Sequence, residues 1–337
     1  MMSAIEGRAV RTAVIGYGGA FNIAKMHADH MLQCGMEFVA VCEMNEERLN
    51  QAINDFPGIR GYATVEELLA QPDIDLVTVI TPHNSHYSLG MQVLESGKHC
   101  VLEKPMSITA EEGDTLVRKA KEKDVMLSVF HNRRWDSWYL TAKQLIAEGR
   151  LGDIFAVELH IGGHGHPGHW WRADKSISGG LAYDWGAHYI DWLLGLVPSR
   201  MTTVRGFTHK LKWHDVTNED HMDIFIGFEN GTSASLSVSS IAYAPKPNRR
   251  ILGTKGAIIS NGDEEVILYE DVDGKRVETK VPSIPSSWIS YYRNIAAHLT
   301  QGEELVVKPE ESRRIIAVLD TAGRSAAGGR ELSVPFE

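Results

Sequence analysis

Arg11-Thr12-Ala13-Val14-Ile15-Gly16-Tyr17-Gly18-Gly19-Ala20-Phe21 is the stretch that decides the fold. Arg11 to Ile15 reads as a short apolar strand, Gly16 to Phe21 as a glycine turn, and Asn22 to Leu32 as a helix. That order gives a G-x-G pattern physical meaning. The turn lets the backbone approach a pyrophosphate, and the helix N-terminus offers it free N–H groups. Phe21 stands where the fingerprint carries its third glycine, so the helix starts late or the loop is longer. The plain alternative is an ordinary strand-to-helix turn.

The next strand, Glu37 to Cys42, ends at Glu43. An acidic side chain there accepts hydrogen bonds from an adenosine ribose and repels a 2′-phosphate, which favours NAD over NADP. The competing reading has Glu43 capping a helix that begins near Asn45. Further along, Thr64 to Ala70 reads as a helix, and Ile74 to Ile80 as a buried strand running into Thr81-Pro82-His83-Asn84-Ser85-His86. Polar residues just past a parallel strand face the ligand crevice, so His83 and His86 belong there unless they are mere turn residues. A helix over Tyr87 to Ser96 precedes the strand His99 to Leu102 and then Glu103-Lys104-Pro105. Thr109 to Lys121 is a helix, and the strand Val125 to Val129 runs into Phe130-His131-Asn132-Arg133-Arg134. Short apolar strands alternating with helices predict a doubly wound parallel sheet.

Later in the chain, Gly179-Gly180-Leu181-Ala182-Tyr183-Asp184-Trp185-Gly186-Ala187-His188-Tyr189-Ile190-Asp191 spaces two carboxylates around an imidazole. On a helix, Asp184, His188 and Asp191 share one face. A carboxylate one turn from a ring can orient it and raise its proton affinity, a common way to build a general base. Upstream lies a glycine-rich loop, Gly162-Gly163-His164-Gly165-His166-Pro167-Gly168-His169-Trp170-Trp171-Arg172. Its three histidines invite a metal, but no nearby carboxylate or cysteine has a ligand spacing, so no metal is expected. The loop reads instead as a cover over a site. Trp171 can stack on a sugar ring, with Arg172 donating to sugar hydroxyls or to the cofactor, or the tryptophans simply pack at a domain junction.

From Asp153 to Lys280 the pattern changes to alternating strands with hairpin turns at Glu229-Asn230-Gly231 and Asp273-Gly274, followed by helices over Ser287 to Leu299 and Glu311 to Ala326. The 337 residues suffice for two domains. With 34 basic and 44 acidic residues, a net charge of -10 and no basic stripe, nucleic acid is not the expected partner. No apolar run is long enough to span a membrane. Cys34, Cys42 and Cys100 form neither a CxxC pair nor a metal spacing, and the first residues lack a signal-peptide pattern; a cytoplasmic protein with reduced thiols is expected.

Gly16-Tyr17-Gly18, Glu103-Lys104-Pro105, His131-Asn132-Arg133-Arg134 and Gly179-Gly180…Asp184…Gly186…His188…Asp191, in this order, resemble the glucose–fructose oxidoreductase / inositol dehydrogenase (Gfo/Idh/MocA) family. The resemblance runs from about Arg11 to about Glu331. It implies an α/β protein, with an N-terminal doubly wound Rossmann domain over 1–133 and a C-terminal α+β domain with an open, mainly antiparallel sheet over 134–337, the last helix packing back on the first domain. The second domain binds substrate and supports a homodimer or homotetramer. By the same resemblance Lys104, Asp184 and His188 are catalytic. The cofactor is held by Gly16 to Phe21, Glu43, Thr81, Pro82, His83, His86, Glu103, Lys104, Asn132 and Arg172. Substrate contacts fall to Lys104, Trp171, Arg172, Tyr183, Asp184 and His188. The expected activity is NAD-dependent oxidation of a secondary alcohol on a sugar, sugar derivative or cyclitol. The alternatives are a redox-neutral NAD-dependent glycosidase or lyase working through a transient keto-sugar, and a non-catalytic sugar- or NAD-binding regulator.

Overall fold

The computed structural model describes residues 5, 7–19 and 21–337; Ala20, expected in the phosphate turn, lies outside the described residues. Two compact units emerge. The first joins the chain up to His131 with Ile289–Arg313, and the second joins Asn132–Trp288 with Arg314–Glu337.

In the first unit β1 (Arg11–Ile15), α1 (Ile23–Gln33), β2 (Glu37–Cys42), α2 (Glu46–Asp55), β3 (Arg60–Tyr62), α3 (Val65–Leu69), β4 (Leu76–Val79), α4 (His86–Glu95), β5 (His99–Leu102), α5 (Ala110–Lys123) and β6 (Leu127–Val129) alternate along the chain. The six strands form one parallel sheet in the order β3-β2-β1-β4-β5-β6. This is the doubly wound dinucleotide-binding order, whose ligand crevice lies beyond the carboxyl ends of the strands where the order reverses, between β1 and β4. Both faces of the sheet are covered, so Val14, Val41, Val77 and Val101 are fully buried. Local sequence sets the helix starts. Thr64 with Glu67 and Thr109 with Glu112 form capping boxes, and Asn45 caps α2.

The second unit contains α6 (Ser137–Ala147), β7 (Ile154–Gly162), α7 (Lys175–Ser178), α8 (Trp185–Leu196), β8 (Met201–His209), β9 (His221–Phe228), β10 (Ser233–Ser239), β11 (Arg249–Gly253), β12 (Gly256–Ser260), β13 (Glu265–Val272) and β14 (Lys275–Pro282). The chain continues through α9 (Ser290–Gln301) and α10 (Pro309–Gly328) to β15 (Leu332–Ser333). Nine strands run β14-β13-β12-β11-β7-β10-β9-β8-β15, and only the β7–β10 pair is parallel. One face of the sheet carries α8, with Leu236 of β10 close to Gly186. On β8, Gly206 lets α10 approach so closely that a Cβ there would lie 2.1 Å from the Ala322 carbonyl oxygen. Phe207 and Phe225 remain 42% and 47% exposed on the sheet. No helix of the described residues is long and apolar enough to cross a membrane.

The boundaries differ from a simple split at residue 133. Residues 289–313 return to the first unit because their aromatics complete its core. Tyr291 donates to Ser128 Oγ at 2.9 Å, and Tyr292 meets His27 Nδ1 at 2.7 Å. Both tyrosines are essentially inaccessible. It is thus α9 that belongs there, and of α10 only the stretch ending at Arg313, which pairs with Asp114 at 2.6 Å.

Candidate functional site

The first unit concentrates its special backbone at the carboxyl ends of β1, β2, β4 and β5. Gly16 sits at φ +95°, where a Cβ would lie 2.3 Å from the Ile80 carbonyl oxygen; only glycine lets the β1 turn meet the end of β4. Gly18 and Gly19 also have positive φ, and a Cβ on Gly19 would meet nothing within 4 Å. The turn is therefore open on the Gly19 side. Asn22 precedes α1 in a left-handed conformation without capping the helix, and its Oδ1 accepts from Gly18 N–H. An uncapped helix start beside an open glycine turn fits a pyrophosphate. Phe21 is 68% exposed and takes no part in the core. The helix begins at Ile23, after a turn longer than the three-glycine version allows.

Glu43 proves more than a candidate ribose acceptor. One carboxylate oxygen accepts from Tyr17 N–H and the other from Asn45 N–H, both at 2.9 Å, so Glu43 fastens the glycine turn to the end of β2. Each oxygen keeps a second lone pair for a ribose hydroxyl. The Tyr17 side chain departs from expectation. It is buried, and its hydroxyl donates to Asp55 Oδ2 at 2.6 Å, so only its backbone belongs to the turn. Burial and that carboxylate push its phenol well above the usual pKa.

His86 also departs from its expected place facing the crevice. It is fully buried, with Nδ1 2.6 Å from the Pro105 carbonyl oxygen and Nε2 2.8 Å from that of Thr81. The ring fills the gap between the β4 loop and the β5 loop, with each nitrogen against a protein carbonyl oxygen and neither turned to a cofactor. His83 is likewise buried, whereas Pro82 is exposed and Thr81 receives a hydrogen bond from Ser85. Glu103 is 8% exposed, and its carboxylate turns inward to His27 Nε2 (3.0 Å) and Lys104 N–H (2.9 Å). Burial raises the proton affinity of Glu103, but His27, Lys104 and His86 outweigh it and hold the carboxyl below its usual pKa. A buried anion thus underlies Lys104, which is itself half-buried.

In the second unit Asp184 stands at the N-terminus of α8, and the preceding residues Leu181–Tyr183 form a 3₁₀ turn. Arg172 Nε pairs with Asp184 Oδ2 at 3.3 Å, and the guanidinium lies over both Trp170 and Trp171. His188 is buried on the first turn of α8, 5.8 Å from the Trp185 ring, and Tyr183 is buried just before it. Asp191, expected on the His188 face, is claimed by a different partner. Arg134 grips it with contacts of 2.6 and 3.0 Å, in the interior. Asn132 is buried where the unit begins.

The histidine loop holds a feature that local spacing hid. Asp215, from the segment after β8, lies 3.0 Å from His166 Nε2 and 3.3 Å from His169 Nε2. No local carboxylate has a ligand spacing, as the sequence indicates, but one arrives from 46 residues beyond His169, through sheet topology. The His166 hydrogen bond holds Asp215 below the usual carboxylate pKa. His164 goes elsewhere, stacking on Tyr243 beside Lys212.

Residues 10–131 match an oxidoreductase family with an NAD-binding Rossmann fold, and residues 139–259 match the GFO/IDH/MocA C-terminal domain. The chain is 30% identical over 362 residues to the scyllo-inositol 2-dehydrogenase (NADP(+)) IolW of Bacillus subtilis (strain 168), covering 98% of this chain and 99% of that protein. Among solved structures, the putative oxidoreductase yvaA from Bacillus subtilis superposes with a TM-score of 0.88 at 28% identity, over 97% of this chain and 99% of the other. The WlbA dehydrogenase from Bordetella pertussis, in complex with NADH and UDP-GlcNAcA, gives 0.83 at 26% identity, over 98% and 100%.

Proposed function

We propose, from the premise that this chain belongs to the Gfo/Idh/MocA oxidoreductase family, that it is a dehydrogenase acting on a secondary alcohol of a sugar, sugar derivative or cyclitol. Its NAD-binding Rossmann domain makes it an NAD(P)-dependent oxidoreductase. The observation that carries the finer reading is the setting of Lys104: a half-buried ammonium-bearing residue past the end of β5, its backbone held by a buried carboxylate. Such a group at the carboxyl end of a dinucleotide sheet suits an oxygen that gains negative charge.

When bound, nicotinamide supplies the hydride acceptor or donor. Lys104 donates a hydrogen bond to the reacting hydroxyl oxygen and offsets the charge that develops as its proton leaves. Lys104 and His188 are the two groups we assign to take up that proton. Asp184 orients His188, and Arg172 holds Asp184 in turn. Trp171 and Tyr183 border the sugar ring. Polyhydroxylated six-membered rings are the favoured substrates, as the names of IolW and of the WlbA complex support. Glu43 favours NAD by repelling a 2′-phosphate, although IolW is named for NADP(+). The exposed Phe207 and Phe225 support self-association into a homodimer or homotetramer through the sheet. The three free thiols suit a cytoplasmic setting.

The test incubates the protein with NAD and a panel of cyclitols, free sugars and glycosides, following both reduced cofactor and product identity. Net reduced nicotinamide with a keto product supports the dehydrogenase. Glycoside cleavage without net reduction replaces it with the redox-neutral reading, and binding without turnover with the regulator.

A further inference from the structure

We infer that His166, His169 and Asp215 form a binding site for a divalent metal ion of the zinc type, separate from the residues assigned to hydride transfer. Among the described residues this is the one group of three such side chains whose donor atoms lie within 4.8 Å of one another. A tetrahedral zinc with bonds of about 2.1 Å sets its ligand atoms about 3.4 Å apart. The contacts from Asp215 Oδ2 to the two histidine Nε2 atoms, 3.0 and 3.3 Å, are already near that edge. Two imidazoles and one carboxylate leave a fourth position for water, and this mixed nitrogen and oxygen set selects zinc-like ions over calcium or magnesium.

The ligands stand on a braced support. Asp220 accepts from the N–H groups of Leu211, Lys212 and Trp213, which fixes the segment leading to Asp215. The histidine loop is tied at one end by Gly163 N–H to Ser239 and Gly165 N–H to Ser240. At its other end Asn218 donates to the Arg172 carbonyl oxygen at 2.6 Å. Trp213 packs edge-on to His166 at 5.0 Å. The three ligand side chains themselves remain accessible, so an ion can enter without unfolding the loop.

One local rearrangement accompanies binding. Gly168 N–H points at Nδ1 of His166 from 3.0 Å, which places the proton of a neutral ring on Nε2, facing Asp215. The cation takes that proton's position, the proton moves to Nδ1, and the Gly168 N–H turns away. Gly168, at φ +84°, has the backbone freedom to do so. The bound ion then cross-links the histidine loop to the Asp215 segment, just ahead of Arg172.

The experiment uses the full chain, without a polyhistidine tag and stripped by a chelator, titrated with zinc chloride in a calorimeter. One saturable site per chain is expected. His169→Ala and Asp215→Asn each weaken it at least about tenfold, and His164→Ala leaves it unchanged. His169 is 71% exposed, so its substitution leaves the fold intact, as circular dichroism will verify. Absence of saturable binding, or binding equally strong in His169→Ala and Asp215→Asn, overturns the assignment. Because the readout is metal binding alone, its failure leaves the proposed dehydrogenase untouched, and failure of the dehydrogenase leaves the metal site untouched.

Discussion

At the scale of single residues, the nucleotide end of the protein depends on a few atoms with no slack. Gly16→Ala combines a positive φ with a methyl driven into the Ile80 carbonyl. We expect a loss of about 2–4 kcal/mol in urea unfolding together with loss of NADH binding. Gly19→Ala, in open space, incurs backbone strain of only about 1 kcal/mol and acts mainly on cofactor affinity. Glu43→Ser removes the clamp on Tyr17 N–H together with the negative charge that we propose disfavours a 2′-phosphate. The ratio of NADP to NAD use, read from kcat/KM, is expected to rise about tenfold, the equivalent of about 1.4 kcal/mol. An unchanged ratio would remove Glu43 from cofactor choice. Beneath Lys104, His27→Ala strands the buried Glu103 carboxylate and is expected to cost about 3–5 kcal/mol near neutral pH. The folded-state pKa of Glu103 lies below its unfolded value of 4.5, so the stability it contributes is present above that pH and is lost as pH falls below it. The gap between wild type and His27→Ala therefore narrows in strongly acidic urea titrations.

At the scale of elements, β5 carries a second group whose contribution falls on acidification, this time a base buried in its neutral form. His99, at its start, accepts a hydrogen bond from Met126 N–H through Nδ1, and burial pushes its pKa down from 6.5 to about 4. Between those two values the unfolded chain binds the extra proton and the folded chain does not, so stability rises with pH across this window. Acidification from pH 6.5 to 4 is expected to cost about 2–3 kcal/mol from this group. His99→Asn keeps an acceptor for Met126 N–H without the titration and is expected to flatten that slope; a slope unchanged by the substitution would contradict the assignment.

Elements are also where the sequence was most legible. His99–Leu102 stands as read, because a short apolar run bounded by turn residues leaves little choice. β3 and β15 went unread: three and two residues are too few for any periodicity to register. Asp191 misled for a different reason. Its spacing from His188 is correct for one helix face, yet spacing carries no information about Arg134, 57 positions away, which takes its carboxylate. Tyr17 sits in the turn foreseen for it and His86 opens α4 just past the foreseen loop, but the direction of a side chain depends on packing that only the folded chain defines.

At the scale of the whole molecule, the chain leaves its first unit and comes back to it. A protein ending at Trp288 retains every residue of the six-stranded sheet but lacks Tyr291 and Tyr292, which close that unit's core. We expect such a truncation to lose NADH binding and the cooperative unfolding of the first unit; retained NADH affinity would show the return segment to be dispensable. The same non-local logic made Asp215 invisible beside the histidine loop, since α7, α8 and β8 separate them in sequence while hydrogen bonds join them in space. The central claim is that Lys104 and His188 both serve the oxidation of an alcohol. Steady-state turnover of Lys104→Ala and His188→Ala on the best alcohol of the substrate panel, with NADH affinity measured separately by fluorescence, tests it most directly. The account predicts a fall in kcat of about 100-fold or more in each variant with NADH affinity within a few-fold of wild type; near wild-type turnover in both would contradict it.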